Sequence, residues 1–425
     1  MLPALLALHD VSERKGPGTW KALIQHGWRR YLGYLLLLGL YLILRILILG
    51  RFFDSLTTSS LLDFENPLAH VSWSIRVLTA VKVAGKYLWL FMWPEKLAAD
   101  YSFNAIPLAT SFLEPAVLGA LTAWGGLVGL AVYTYRRGPR PAFFAIGLTA
   151  ITFLPASNLL IPIGTIMGER LFYLPSAGLC LLIGVAWDQM VASVQTVGAL
   201  RPLTRVSIGV FAIVLALLTT RTILRNEDWQ NTEVLMESTI RVVPQNAKAH
   251  YVLGHSKQER LEVDDAIREY EEAIRISPWY DFAYQDLGMV YGMKERWHEA
   301  EAAYQQALTI REQALGPAHP SVAVMLNKLG LLYSAQGNYA QAEPLYQRAL
   351  AILEQALGPA HPSVVVILNN LGILYAAQGN YAQAEPLYRR ALAIYERTSG
   401  HDHPDVALIR KNYATLLRKT NRIAE

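Results

Sequence analysis

Apolar residues run unbroken through much of the first half of the chain and fall at three- and four-residue spacings in the second. A helix crossing a bilayer needs about 20 predominantly apolar residues. Stretches at about 31–50, 114–135, 141–157, 171–187 and 206–220 meet or approach that need, so five spans are predicted. The stretch 71–93 differs because it carries Arg76, Lys82 and Lys86, charges that are costly at the bilayer centre. Residues 76, 79, 82, 83 and 86 share one helical face, which predicts an amphipathic helix lying in the membrane interface.

The second half is built from repeats. "AQGNYAQAEPLY" occurs at 335–346 and again at 377–388, and "LGPAHPSV" at 315–322 and 357–364, both shifted by 42 residues. Upstream the period is 34, seen in Leu253-Gly254 against Leu287-Gly288 and in Tyr270 against Tyr304. Gly254, Ala266 and Ala273 are small where two helices must approach closely, and tyrosines fill the space between repeats. The pattern resembles tetratricopeptide (TPR) repeats, which pair antiparallel helices. The 34-residue form covers about 247–310. The 42-residue form covers about 311–398 and resembles the repeats of kinesin light chain. A final helix is predicted at 405–420 and a partial first repeat at 226–245. The expected fold class is all-α: a polytopic membrane domain over 1–225, then a TPR solenoid over 226–425.

Charge sharpens the division. Residues 1–225 hold 19 Lys/Arg and 10 Asp/Glu, a net of +9, whereas the remainder holds 19 and 24, a net of −5. A basic apolar half joined to an acidic polar half fits a membrane domain followed by a water-facing one. Basic clusters at 14–30, at "RRGPR" (136–140) and at Arg201 and Arg205 mark loops expected in the cytoplasm. With five spans, the N-terminus is then cytoplasmic and the solenoid extracytoplasmic, in a periplasm or lumen. No basic stripe interleaved with aromatics suggests nucleic acid. No Walker, Rossmann, zinc or triad motif is present, and no cofactor or metal is expected. His319, His361 and His403 recur once per 42-residue repeat before a proline, which predicts turn residues. Cys180 is predicted to be a small buried hydrophobe.

Asn327 and Asn369 occupy equivalent first-helix positions on the expected concave face. A carboxamide donates and accepts together, so it matches the backbone of an extended peptide; capping of the inner surface is the alternative. A protein or peptide partner in that groove is predicted, since solenoids present such concave surfaces by construction.

Four stretches in order carry a further resemblance: "ENPLAH" (65–70), "PEKLAADYSFNAIP" (94–107), "FLPASNLLIPIGTIMGERLFYLPSAGLCLL" (153–182) and "NEDWQNTEVL" (226–235). They resemble the transmembrane and TPR-containing O-mannosyltransferases of the GT-C superfamily. The resemblance implies a polyprenyl-phosphate-sugar donor and transfer to Ser or Thr of proteins. It places Arg170, oriented by Glu169, at the donor phosphate, with Arg76, Lys82 and Lys86 adding positive potential and Asp100 and Tyr101 on the same outer side. Pairing at the membrane interface is the alternative for these residues. The family's acidic catalytic motif lies in an early outer loop, and this chain resembles the family's C-terminal half. Asp54 and Asp63 are the aspartates of the start of its first outer loop, 51–70, and no catalytic residue is assigned. The expected function is therefore that of a membrane-anchored, extracytoplasmic TPR protein that binds partners. Glycosyl transfer, as a fragment or subunit, is the alternative.

Overall fold

The computed structural model describes residues 5, 8, 9, 12, 68, 71–94, 96–101, 106–159, 167–196, 201–399 and 404–420. Among them it has fifteen α-helices and no strand, and they pack as two units, residues 1–253 and 254–425.

The first unit contains α1 (Trp73–Met92), α2 (Pro115–Arg136), α3 (Arg140–Phe153), α4 (Tyr173–Thr196), α5 (Arg201–Glu227), α6 (Thr232–Val242) and the start of α7 (Ala247–Glu259). Two short 3-10 turns, Leu154–Ala156 and Glu169–Phe172, flank the α3–α4 connection. Among the described residues three helical segments are long and apolar enough to cross a membrane: Pro115–Arg136, Arg170–Ala192 and Ile208–Glu227. The segment predicted as a span at 141–157 is the shorter apolar helix Arg140–Ala156, and 31–50 lies outside the described residues. In the most apolar stretch of Ile208–Glu227 only 6% is buried against protein, so nearly every apolar side chain there faces outward. That is the pattern of a helix whose solvent is lipid.

The unit's core is aromatic. Tyr87 stacks on Phe172 with centroids 5.0 Å apart and meets Phe153 edge-on at 5.4 Å. These geometries suit ring quadrupoles. Glycine permits the closest crossings: a Cβ at Gly85 would sit 2.5 Å from that of Ala120, and one at Gly178 would sit 2.6 Å from the Ala145 carbonyl oxygen. The face of α1 that carries the basic residues is more covered than its amphipathic pattern suggests. Thr79 and Val83 are buried, and Thr79 Oγ1 accepts from the Ala109 amide at 2.9 Å. The segment before α2 folds back over this face and supplies the partners. Cys180 is exposed on α4, contrary to its reading as a buried hydrophobe, because α4 turns its Gly178 and Leu179 inward and leaves Cys180 outside.

The second unit contains the rest of α7, α8 (Val263–Ile276), α9 (Asp281–Met293), α10 (Trp297–Leu315), α11 (Pro320–Ala335), α12 (Tyr339–Leu357), α13 (Pro362–Ala377), α14 (Tyr381–Ser399) and α15 (Pro404–Lys419). It is a ladder of helix pairs held at one repeated contact. A Cβ at Gly254, Gly288, Gly330 or Gly372 would lie within 3 Å of the ring of Tyr270, Tyr304, Tyr346 or Tyr388 respectively. Each tyrosine is buried. The repeat spacing thus records a bare backbone on which one ring lies flat. His319 and His361 cap α11 and α13: Nδ1 of each accepts from the amide of Ser321 or Ser363, at 3.1 and 3.2 Å, with proline at the first helical position. His403 lies outside the described residues. The eight extra residues per repeat lengthen the second helix from 14 residues in α8 to 19 in α12 and add the glycine turns at Gly316 and Gly358. Both turns have φ near +90°, where a side chain would be strained.

Candidate functional site

In the first unit the residues expected to meet a lipid phosphate do not form one cluster. Arg170 is exposed on the turn Glu169–Phe172; the Glu169 side chain lies outside the described ones. That turn is set by its neighbours. The Tyr87 hydroxyl donates to the Gly168 carbonyl at 3.1 Å and accepts from the Gly168 amide at 2.9 Å. The Tyr101 amide donates to the Met167 carbonyl at 3.0 Å. Tyr101 is buried, and its hydroxyl bridges the Lys96 carbonyl and the Ala98 amide. The Lys86 ammonium lies over the Tyr101 ring, 4.4 Å from its centroid. Lys86, Tyr101 and the backbone leading into Arg170 are therefore neighbours.

The other predicted residues are held elsewhere. Arg76 Nε donates to the Leu68 carbonyl at 3.0 Å. Lys82 pairs with Glu114 and donates to the Pro107 carbonyl. Asp100 faces Lys248 at 3.6 Å, and its carbonyl accepts from Asn246 Nδ2 at 2.9 Å. No described contact joins Arg170 to Arg76, Lys82 or Lys86.

A cavity of about 230 Å³ was missed from the sequence. Its walls include Tyr87, Phe172, Ser176, Arg221, Arg225 and Trp229. Arg225 is buried and bonded to Asp228 at 2.7 Å and to Ser238 at 3.2 Å; Arg221 donates to the Pro94 carbonyl at 3.2 Å. Arg225, Asp228 and Trp229 lie in or beside the "NEDWQN" stretch. Its signal was an Arg one turn before an Asp-Trp pair at the end of an apolar helix.

In the second unit one face of each first helix repeats a layout. Asn327, Lys328, Asn369, Asn370 and Asn412 form a polar row. Asn370 Nδ2 donates to Asn327 Oδ1 at 2.8 Å, and Asn412 Nδ2 donates to Asn369 Oδ1 at 3.0 Å. Each predicted asparagine thus spends its oxygen on the next repeat and keeps its NH₂. Apolar residues flank the row: Val324, Val366 and Leu408 on one side, Leu331 and Ile373 on the other, all about half exposed. Elsewhere a second ladder joins repeats. Tyr291 donates to Glu271 at 2.6 Å, Tyr375 to Glu343 at 2.7 Å, Tyr413 to Glu385 at 3.3 Å, and Tyr333 to Glu301. Burial, then the carboxylate partner, pushes Tyr291 and Tyr333 up to about 12.

Comparison with known proteins matches separate stretches of the chain to two families. The family described as "Protein O-mannosyl-transferase TMTC, DUF1736" matches residues 56–128, and a tetratricopeptide-repeat family matches 281–355, 324–397 and 363–425. The chain carries helices long and apolar enough to cross a membrane together with TPR repeats, and the TMTC O-mannosyl-transferases are among its homologues. It is 29% identical over 255 residues to Protein O-mannosyl-transferase TMTC3 of Mus musculus, covering 59% of this chain and 27% of that protein. Drosophila melanogaster Tmtc3 is 30% identical over the same length and shares. Human TMTC4 is 34% identical over 189 residues, covering 43% and 24%. The chain spans about a quarter of the length of these relatives. Among solved structures, BtubC (BKLC) from P. vanneervenii is 21% identical, covering 47% of this chain and 79% of that one, with a TM-score of 0.38. A putative kinesin light chain from Podosopora anserina is 22% identical, covering 42% and 89%, with a TM-score of 0.37.

Proposed function

We propose that this protein is a membrane-anchored TPR protein whose solenoid binds an extended segment of a partner protein outside the cytoplasm. The observation that carries this is the amide row with its apolar flanks. Free NH₂ groups on Asn327 and Asn369 suit main-chain carbonyls, and the flanking Val, Leu and Ile suit alternate side chains of an extended peptide. The basic clusters at 14–30, 136–140 and 201–205 support the outward orientation.

The test is capture of extended peptides from a displayed library by the full chain in detergent. Ile373→Asp and Val366→Asp change exposed side chains only, and each is expected to lower affinity about tenfold or more by setting a charge against apolar groups. Unchanged binding by both variants would overturn the groove.

The second reading is transfer of a sugar from a polyprenyl-phosphate donor to Ser or Thr of the captured protein. The match over 56–128 and the names of the relatives favour it. Under it Arg170, with Glu169 beside it, takes the donor phosphate through its planar fork of donors. Lys86 and Tyr101 lie next to the same turn, while Arg76, Lys82 and Asp100 hold the surrounding backbone. Sugar transfer by the purified chain, lost in Arg170→Ala, would establish this reading over the first.

A further inference from the structure

Lys82 and Lys86 stand one turn apart on α1 and line a groove of about 580 Å³ between α1 and α2. The other walls are apolar, with Trp89 and Met92 at one end. Along α2 the floor is Ala116, Gly119, Ala120 and Ala123, at helical i, i+3, i+4 and i+7 positions. A Cβ built at Gly119 meets nothing within 4 Å, so the floor is open at that position. Because α2 is long and apolar enough to cross a membrane, this trough would face hydrocarbon.

The two ammonium groups differ. Lys82 is neutralised by Glu114. Among the described residues Lys86 lies over the face of Tyr101 and makes no ion pair and no hydrogen bond. The Tyr101 hydroxyl is already engaged with the 96–98 backbone. Burial, with the Lys82 charge adding, holds Lys86 below the ordinary lysine range. A partly buried cation without a carboxylate is costly unless an anion joins it. Here the anion must also carry a tail, because the space beyond the ammonium is lined with methyl groups and glycine.

We propose that the α1–α2 groove holds an anionic phospholipid, its phosphate on Lys86 beside Lys82 and an acyl chain along Gly119 and Ala123. Arg170 does not line this groove. The inference rests on the reading that α2 lies in a membrane, and it is independent of what the solenoid binds.

The experiment is native mass spectrometry of the full chain in mild detergent, titrated separately with phosphatidylglycerol, phosphatidylcholine and undecaprenyl phosphate. Phosphatidylglycerol is expected to bind several-fold more tightly than phosphatidylcholine. Lys86→Gln is expected to remove about fivefold of that preference, the worth of one lysine facing an anionic headgroup. Gly119→Leu fills open space, so the fold is kept, and it is expected to weaken both phospholipids together. Equal binding of the two phospholipids, or a preference untouched by Lys86→Gln, would overturn the proposal. Undecaprenyl phosphate displacing phosphatidylglycerol would also overturn it and move the sugar donor into this groove. Peptide capture by Lys86→Gln should equal that of the parent, which separates this inference from the reading of the solenoid.

Discussion

Tyr87 and Gly168 are 81 residues apart in sequence and hold each other through two hydrogen bonds, the phenol donating to the glycine carbonyl and accepting from its amide. Both residues are buried, and burial pushes the Tyr87 phenol up, which keeps it protonated as a donor. One side chain therefore satisfies both backbone groups of the residue that leads into Glu169 and Arg170. Tyr87→Phe preserves the stack on Phe172, leaves the buried Gly168 amide unpaired and leaves the Gly168 carbonyl with the Leu171 amide as its remaining donor, at 3.1 Å. The expected cost is about 1–3 kcal/mol, from one buried backbone amide left without a partner. A thermal-shift measurement in detergent checks it, and limited proteolysis near Arg170 should quicken in parallel. An unchanged midpoint and cleavage rate would mean the clamp does not position the turn.

A buried ion pair marks one repeat. Arg311 Nε donates to Asp281 Oδ2 at 2.6 Å, with both side chains 7% exposed, and Arg311 also reaches Gln285 and the Ser321 carbonyl. One repeat later, 42 residues on, the same two positions are Leu353 and Ala323, both buried. Removing one partner strands a charge, so Arg311→Leu or Asp281→Ala alone should cost about 3–5 kcal/mol. The double variant copies the next repeat and should recover most of that loss. A double-mutant cycle on unfolding midpoints reads this directly; additive losses would show that the two residues do not act as a pair.

Two turns are strained for a reason visible in the repeats. Leu261 and Glu295 sit at φ +62° and +59°, the positions that Gly337 and Gly379 hold in the later repeats at +75° and +81°. A left-handed backbone costs a side-chain-bearing residue about 1–2 kcal/mol. Leu261 is 73% exposed, so its side chain contributes little packing. Leu261→Gly and Glu295→Gly are each expected to raise stability by about 0.5–1 kcal/mol, after the added unfolded-state entropy of glycine is subtracted. Calorimetry of the full chain is the check, and a lower midpoint in both would contradict the strain.

What was legible in the sequence was periodic. Gly330 and Tyr346 recur as Gly372 and Tyr388, and the spacing carries the helix-pair fold because the same close approach is made in each repeat. Asn327 and Asn369 were found by the same periodicity, but not their bonds to Asn370 and Asn412, since a hydrogen bond across repeats depends on how the helices are offset. The membrane half lacks repeats, and its contacts join distant segments. Lys82 with Glu114, and Tyr87 with Gly168, follow from how the segment before α2 and the turn before α4 fold back on α1. A helical wheel grouped Arg76, Lys82 and Lys86 as one charged face. It could not show that Thr79 and Val83 between them are buried under that segment.

The tyrosine–glutamate ladder sets an alkaline limit. Tyr291 and Tyr333 are pushed up to about 12 in the folded protein by burial first and by Glu271 and Glu301 second. An unfolded tyrosine titrates near 10. Between those values the unfolded chain has lost protons that the folded chain keeps, so stability falls as pH rises. The contribution is therefore complete below about pH 10 and is lost as pH climbs toward 12. Unfolding midpoints measured across this window should drop more steeply for the parent than for a Tyr291→Phe, Tyr333→Phe double variant, which has no phenols to ionise at these positions. The variant should also be less stable below pH 10, because Glu271 and Glu301 lose the hydrogen bonds from these phenols. The two stability curves should therefore converge at high pH, and parallel curves would show that these phenols do not govern the alkaline transition.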